Sequence, residues 1–420
     1  MADVTNRSLW NLEENPREPT RFGHGAIEAF RRDPGGFLTE AINNYVLTAH
    51  SNWSVPFQHP FFTAPIAIAF ADGDSEEFLE IKRRYAWTLT PRECLESPPR
   101  VHVESVTGKP KSRVDMPAVG HVPTISEAGD ITWPAGEPPL PPWGAGDNMV
   151  GEVLGTGESY GGSPGAEEPP AGLPRPPRPE HMTVISIGLP IHPATLEAEA
   201  SYPWGNSPEL KVHSLLGAHL GFTIDLSYYV VKTLQMFGHL AISPYHTTWG
   251  SEFMMDFQHE GPTSRQPISP CPERDWAVAA GLGTWGLSDM VITERGMAVI
   301  LTSIVTSAEI PASPRPATEH CLFFRDGSCL ECVSRCPGQA IDPHLNPPGR
   351  LAAKCEAGAR AAAKYNETYL KERMLTELGE YASSSGNLIW EGSGLGMPVI
   401  SFLACGRCYT DVPCSTRIPG

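Results

Sequence analysis

The sequence predicts an α+β protein in which a mixed unit of strands and helices is followed by a small cysteine-rich module. Three observations carry this. β-Branched runs at 65–74, 182–190 and 297–307 end in turn residues, as buried strands do. Leu226, Tyr229, Val230, Leu234 and Phe237 recur at the spacing of one helix face. Eight of the ten cysteines fall within the last hundred residues. Pro (43) and Gly (40) together punctuate the 420 residues too often for a helical bundle, while 40% hydrophobic content suffices for a sizeable core.

In chain order, residues 1–95 form the first part of the α/β unit, with the run PIAIAFADGD at 65–74 as its strand. Residues 96–181 change composition: PPR, EPPLPPW, GTGESYGGSPG and LPRPPRPE mark an extended insertion or linker without apolar periodicity. Order returns over 182–312, where MTVISIGLP reads as a buried strand and Gly238 sits where a helix C-cap belongs. Residues 313–420 are the cysteine module, and its Ala-rich stretch 351–369 has the strongest helix propensity of the chain.

Charge and thiol usage narrow the function classes. Asp plus Glu (48) exceed Lys plus Arg (31), and the net charge of -17 opposes long-range attraction to nucleic acid or anionic lipid. No basic start with an apolar run opens the chain, and Arg31-Arg32 is followed by Asp-Pro-Gly-Gly where an export signal needs apolar residues. Apolar stretches fall short of the ~20 residues that span a bilayer. The expectation is a cytoplasmic protein with no membrane partner and reduced thiols, and clustered reduced thiols mean metal.

Cys329-x2-Cys332-x3-Cys336-Pro337 is the second half of the bacterial ferredoxin run C-x2-C-x2-C-x3-C-P. Asp326 stands where that run has its first cysteine; Cys321 lies five residues upstream, and the Asp326-Gly327 turn would bring it back. Cys405-x2-Cys408 adds a chelating pair and Cys414 one more thiol. Eight thiolates divide into two [4Fe-4S] sets, Cys321, Cys329, Cys332 and Cys414 against Cys336, Cys355, Cys405 and Cys408. The competing reading is two four-thiolate zinc sites. Cys94 and Cys271 are left as structural thiols.

Gly281-x-Gly283-x-x-Gly286 fits the dinucleotide pattern G-x-G-x-x-G, but that motif opens a helix, whereas LSDMVITERGMAVILTSIV reads as strand, turn and strand. The nicotinamide reading therefore fails, and the glycines are taken to allow close approach of some other large ligand.

The stretch AVAAGLGTWGLSDMVITERGMAVILTSIVTSAEIP (277–311), followed at once by the cysteine module, resembles the epoxyqueuosine reductase and reductive dehalogenase superfamily. The resemblance runs over roughly 182–414. It implies a nitroreductase-like α/β domain holding base-off cobalamin, then a ferredoxin-like domain with two [4Fe-4S] clusters. Gly281, Leu282, Gly283 and Gly286 would underlie the corrin, with Tyr228 a further contact. Two-electron reduction of a carbon–halogen or carbon–oxygen bond also needs a proton, for which Tyr245 and His246 are the first candidates and Asp256 the next. The acidic balance and the end of the chain six residues after Cys414 favour a small-molecule substrate over tRNA. Electrons would come from a separate ferredoxin or flavodoxin. The alternatives are a tRNA epoxyqueuosine reductase, an iron–sulfur electron carrier without corrinoid, and a zinc-stabilised interaction module.

Overall fold

The computed structural model describes residues 24–96 (except 56, 86 and 87), 124–125, 131–132, 179–244 (except 203, 204, 206 and 220), 271–359 (except 352, 353 and 356) and 405–420. Helix α1 (His24–Arg32) runs into α2 (Pro34–Thr48), which begins where Asp33 accepts the Gly36 amide at 2.9 Å and Pro34 presets the first turn. Strand β1 (Ala67–Asp72) leads to α3 (Glu76–Arg84), acidic at its start and basic at its end as the helix dipole favours, and to α4 (Pro91–Glu96). After the insertion come β2 (Thr183–Pro190), α5 (Pro193–Ser201), α6 (Pro208–Val212), a π-helical turn (His213–His219), α7 (Phe222–Met236) and the short β3 (Ala241–Ile242).

Helix α8 (Glu273–Ala279), the hairpin β4 (Gly283–Trp285) and β5 (Val291–Thr293), and strand β6 (Val299–Thr306) complete the sheet unit. The cysteine module adds α9 (Leu322–Asp326), α10 (Glu331–Arg335) and the two-residue pair β7 (Ile341–Asp342) and β8 (Gly349–Arg350).

The central sheet has the order β1-β2-β6-β3, antiparallel throughout. Register pairs Ala67 with Gly188 and Val305 with Ile242. Because side chains alternate, β2 sends Ile185, Ile187 and Leu189 to one face and Val184 to the other. The first face packs with α1, α2 and α7 through Phe30, Leu38, Ile42, Phe222, Leu226 and Leu234. The second packs with α3, α4 and α8 through Phe78, Cys94, Trp276 and Ala277. Each such side chain, removed from water, contributes roughly 1.5–3 kcal/mol before conformational entropy is set against it. Two covered faces explain why β2 is buried along nearly its whole length and mostly apolar.

The hairpin β4–β5 joins this sheet unit to the cysteine module. Val291 faces the second sheet core, while its neighbour Ile292 joins Leu287 and Met297 in a third core with Ile341, Val412, Cys321 and Cys408. The chain's last segment returns alongside: the Met297 amide donates to the Cys414 carbonyl at 2.7 Å and the Ala298 amide to Ser415 at 2.8 Å. Among the described residues, no helix is long and apolar enough to cross a membrane.

Candidate metal centre

Local structure places the thiols. Cys321 precedes α9, and Gly327, at φ +75, closes that helix by donating to the Leu322 and Phe323 carbonyls. The chain thus reverses within one short helix and delivers Cys329, then Cys332 from α10. Cys321, Cys329, Cys332 and Cys414 line one hollow of about 370 Å³, mouth included, together with Leu287, Ile292, Met297, Glu331 and Val412. We refer to it as the first nest.

The second nest gathers Cys336, Cys355, Cys405 and Cys408. Cys336 ends α10, and its sulfur accepts the Ala340 amide at 3.3 Å. The helical turn that carries Cys355 lies against Pro337-Gly338, where Gly338 and Gly358 pack so closely that a Cβ on Gly358 would sit 2.5 Å from Gly338 Cα. Arg350 Nη1 donates to Cys355 Sγ at 3.6 Å, and Cys336 and Cys408 also act electrostatically on Arg350.

The Cys405–Cys408 loop is clasped from the sheet unit. Buried Glu199, on α5, accepts the Gly406 amide at 3.1 Å and the Ser207 amide at 2.7 Å, and Arg407 Nη1 donates to the Ala200 carbonyl at 3.0 Å. Lys211, buried beside Glu199, has its ammonium pKa lowered to about 8 by burial, against the pull of the carboxylate.

Four of the thiols, Cys332, Cys405, Cys408 and Cys414, resist ionisation as they stand. Burial pushes Cys408 up to about 12, with Cys355 and Cys336 adding to the rise and Arg350 opposing it. Burial also pushes Cys414 to about 12, helped by Cys321 and Cys329, and raises Cys332 and Cys405 further. Such groups become ligands only when a cationic core balances their charge. Among the described residues, no three His, Cys, Asp or Glu side chains converge on a point that would hold a single metal ion. Four thiolates on one zinc would stand about 3.8 Å apart, given a Zn–S bond of ~2.3 Å. A cubane presents a separate iron to each thiolate, and the four thiols around the first hollow could hold such a core.

The residues chosen for a corrinoid do not share a surface. Gly281, at φ +79, ends α8: its amide donates to the Val278 carbonyl at 3.0 Å and the Leu282 amide to Ala277 at 2.9 Å, a Schellman closure. The glycine motif therefore follows a helix instead of opening one, which removes the dipole argument for a pyrophosphate. Gly283 is needed because a Cβ there would lie 2.3 Å from the Ile292 carbonyl oxygen across the hairpin, and Leu282 is buried in the second core. A Cβ on Gly286 would meet the Met290 carbonyl oxygen at 3.2 Å. The closeness these glycines permit is thus used within the chain. Tyr228 belongs to α7 on the opposite face of the sheet, where burial raises its phenol pKa. Tyr245, His246 and Asp256 lie outside the described residues, as does nearly all of the Pro-rich segment.

Sequence reading missed the groups that surround the second nest: Glu199, Arg350 and the Gly338–Gly358 contact. It also missed Glu273, whose buried carboxyl accepts the Ser303 hydroxyl at 2.6 Å through Oε2 and leaves Oε1 without a partner. Burial raises its pKa to about 7, against the hydrogen bonds from Ser303. Cys94 and Cys271, left as structural thiols, are buried with their sulfurs 3.6 Å apart.

No protein-family model matches the chain. A stretch of 89 residues, 21% of the chain, is 37% identical to the epoxyqueuosine reductase of Gloeobacter violaceus. It spans a quarter (25%) of that protein's length, so the chain is similar in part to one oxidoreductase.

Proposed function

We propose that the protein is an iron–sulfur oxidoreductase that holds two [4Fe-4S] clusters and reduces a small molecule with electrons from a separate ferredoxin or flavodoxin. The observation that carries this reading is the grouping of eight thiols into two adjoining sets of four. Cys321, Cys329, Cys332 and Cys414 would hold one cluster, and Cys336, Cys355, Cys405 and Cys408 the other. When bound, such clusters take up and release single electrons at low potential. The chain's own residues supply the rest: Leu287, Ile292, Met297 and Val412 line the first nest and limit its contact with water, while Glu199 and Arg407 hold the loop of the second. The partial similarity to an epoxyqueuosine reductase supports a reductase in general.

The sequence resemblance implies a corrinoid as the group that meets the substrate in a dehalogenation or epoxide reduction. The residues first chosen for it lie on both faces of the sheet, so the reading rests on the cysteine module. Anaerobically purified protein should show visible absorption that dithionite bleaches and air restores. Cobalt analysis of the same sample decides the corrinoid: one cobalt per chain supports it, and none after reconstitution with cobalamin removes it. The 89-residue similarity favours a second reading, reduction of epoxyqueuosine in tRNA, against which the net charge of -17 stands. Turnover of epoxyqueuosine-containing tRNA by the reduced protein would select it.

A further inference from the structure

The two nests have unequal electrostatic surroundings. Among the described residues, the wall of the first is apolar apart from its thiols, Ser288 and Glu331, and contains no lysine or arginine. Of the described cations on its elements, Arg325 donates to the Pro419 and Gly420 carbonyls at the rim, and Arg335 pairs with Asp411 at 3.0 Å; neither donates to a thiol of this nest. The second nest contains a guanidinium. Arg350 sits at the end of the two-residue strand β8, and its main-chain amide donates to Asp289 Oδ2 at 2.8 Å. Asp289 is itself buried and accepts Arg274 Nη1 on its carbonyl at 2.8 Å. With its backbone pinned in this way, Arg350 extends Nη1 to within 3.6 Å of Cys355 Sγ. Among the described residues, two carboxylates also face this region, Asp289 and Glu199, but Arg274 lies beside the first and buried Lys211 beside the second.

We infer that Arg350 is a tuning residue that gives the cluster held by Cys336, Cys355, Cys405 and Cys408 the higher reduction potential of the two. The inference rests on the proposed function and deepens it. Reduction adds one negative charge to a cluster, and a fixed cation donating a hydrogen bond to a ligand sulfur stabilises the reduced form more than the oxidised one. The effect is strong where water is excluded, because the local dielectric is low. Among the described residues, no comparable cation lines the first nest.

The test is a redox titration followed by electron paramagnetic resonance on the full chain, reconstituted anaerobically. Cys414→Ala and Cys405→Ala assign the two waves, since each variant retains the other nest. The parent should show the second-nest wave at the higher potential. Arg350→Gln should shift that wave downward and leave the first-nest wave in place, and Arg350→Lys, which keeps the charge, should leave the order of the two unchanged. The inference is overturned if the first-nest wave is equal or higher in the parent, or if Arg350→Gln moves neither wave. Should Arg350→Gln lose the second cluster, the order in the parent decides. A parent that contains zinc and no reducible cluster overturns the proposed function itself, and its metal content shows this before any potential is read.

Discussion

At the residue scale the two nests are separable by mutation. Cys332→Ser should remove about four irons and Cys408→Ser a different four, because each cubane needs its full set of thiolates. Iron analysis of the purified variants checks this, and a full complement in either would remove that cysteine from the ligand set. Glu273 gives a second, independent prediction. Its folded pKa of about 7 lies above the ordinary carboxylate value of 4.5, so the folded state keeps a proton that the unfolded chain releases. The stability it confers is therefore present below pH ~4.5, is lost as pH rises through about 7, and amounts to about 3 kcal/mol. The thermal midpoint of the parent should fall between pH 5 and 8, and Glu273→Gln should fall less; equal slopes would contradict the assignment. The cysteines were legible in the sequence because cluster chelation imposes short, regular spacings. Glu199 and Arg350 were not: Glu199 lies about two hundred residues from the loop it holds, and Arg350 stands next to a cysteine on a helix whose direction no spacing reveals.

At the element scale, the strands at 183–190 and 299–306 and helix α7 were legible because burial on two faces leaves runs rich in β-branched residues and one helix face leaves a 3.6-residue period. Gly238 ends α7 as the sequence suggests: at φ +89 it donates to the Gln235 carbonyl, and the His239 amide reaches Leu234. The G-x-G-x-x-G segment was harder, because glycines serve helix ends and helix starts alike. Helix α8 is only seven residues long, too short for its period to announce the C-terminus that Gly281 caps. Nor does sequence state which face of a sheet a helix covers, so Tyr228 and the glycines could be placed together only by analogy. The hairpin now makes its own prediction. Gly283→Ala would press a methyl group against the Ile292 carbonyl, and should lower the thermal midpoint of protein prepared without any cobalamin, by the equivalent of about 2 kcal/mol or more. An unchanged midpoint would show that the glycine is free of the hairpin and available to a ligand.

At the scale of the whole molecule, the Pro-rich segment leaves and re-enters at neighbouring points. β1 and β2 are paired with Asp72 opposite Thr183, and Arg92 donates to both Asp74 and the Pro179 carbonyl. A chain that departs and returns at one edge can be shortened without reordering the sheet. Deleting residues 101–170 should leave iron content and thermal midpoint unchanged, and insoluble expression of the deletion would show that the segment packs on the domain. The cysteine module cannot be detached in this way, because the hairpin β4–β5 and the segment after Cys405 are shared between the cores. The account rests above all on two cubanes in two nests, and one measurement bears on it directly: iron and acid-labile sulfide per chain in protein purified under strict anaerobiosis with ample iron. About eight of each are expected, with zinc well below one per chain. Two zinc ions per chain with no labile sulfide would contradict it.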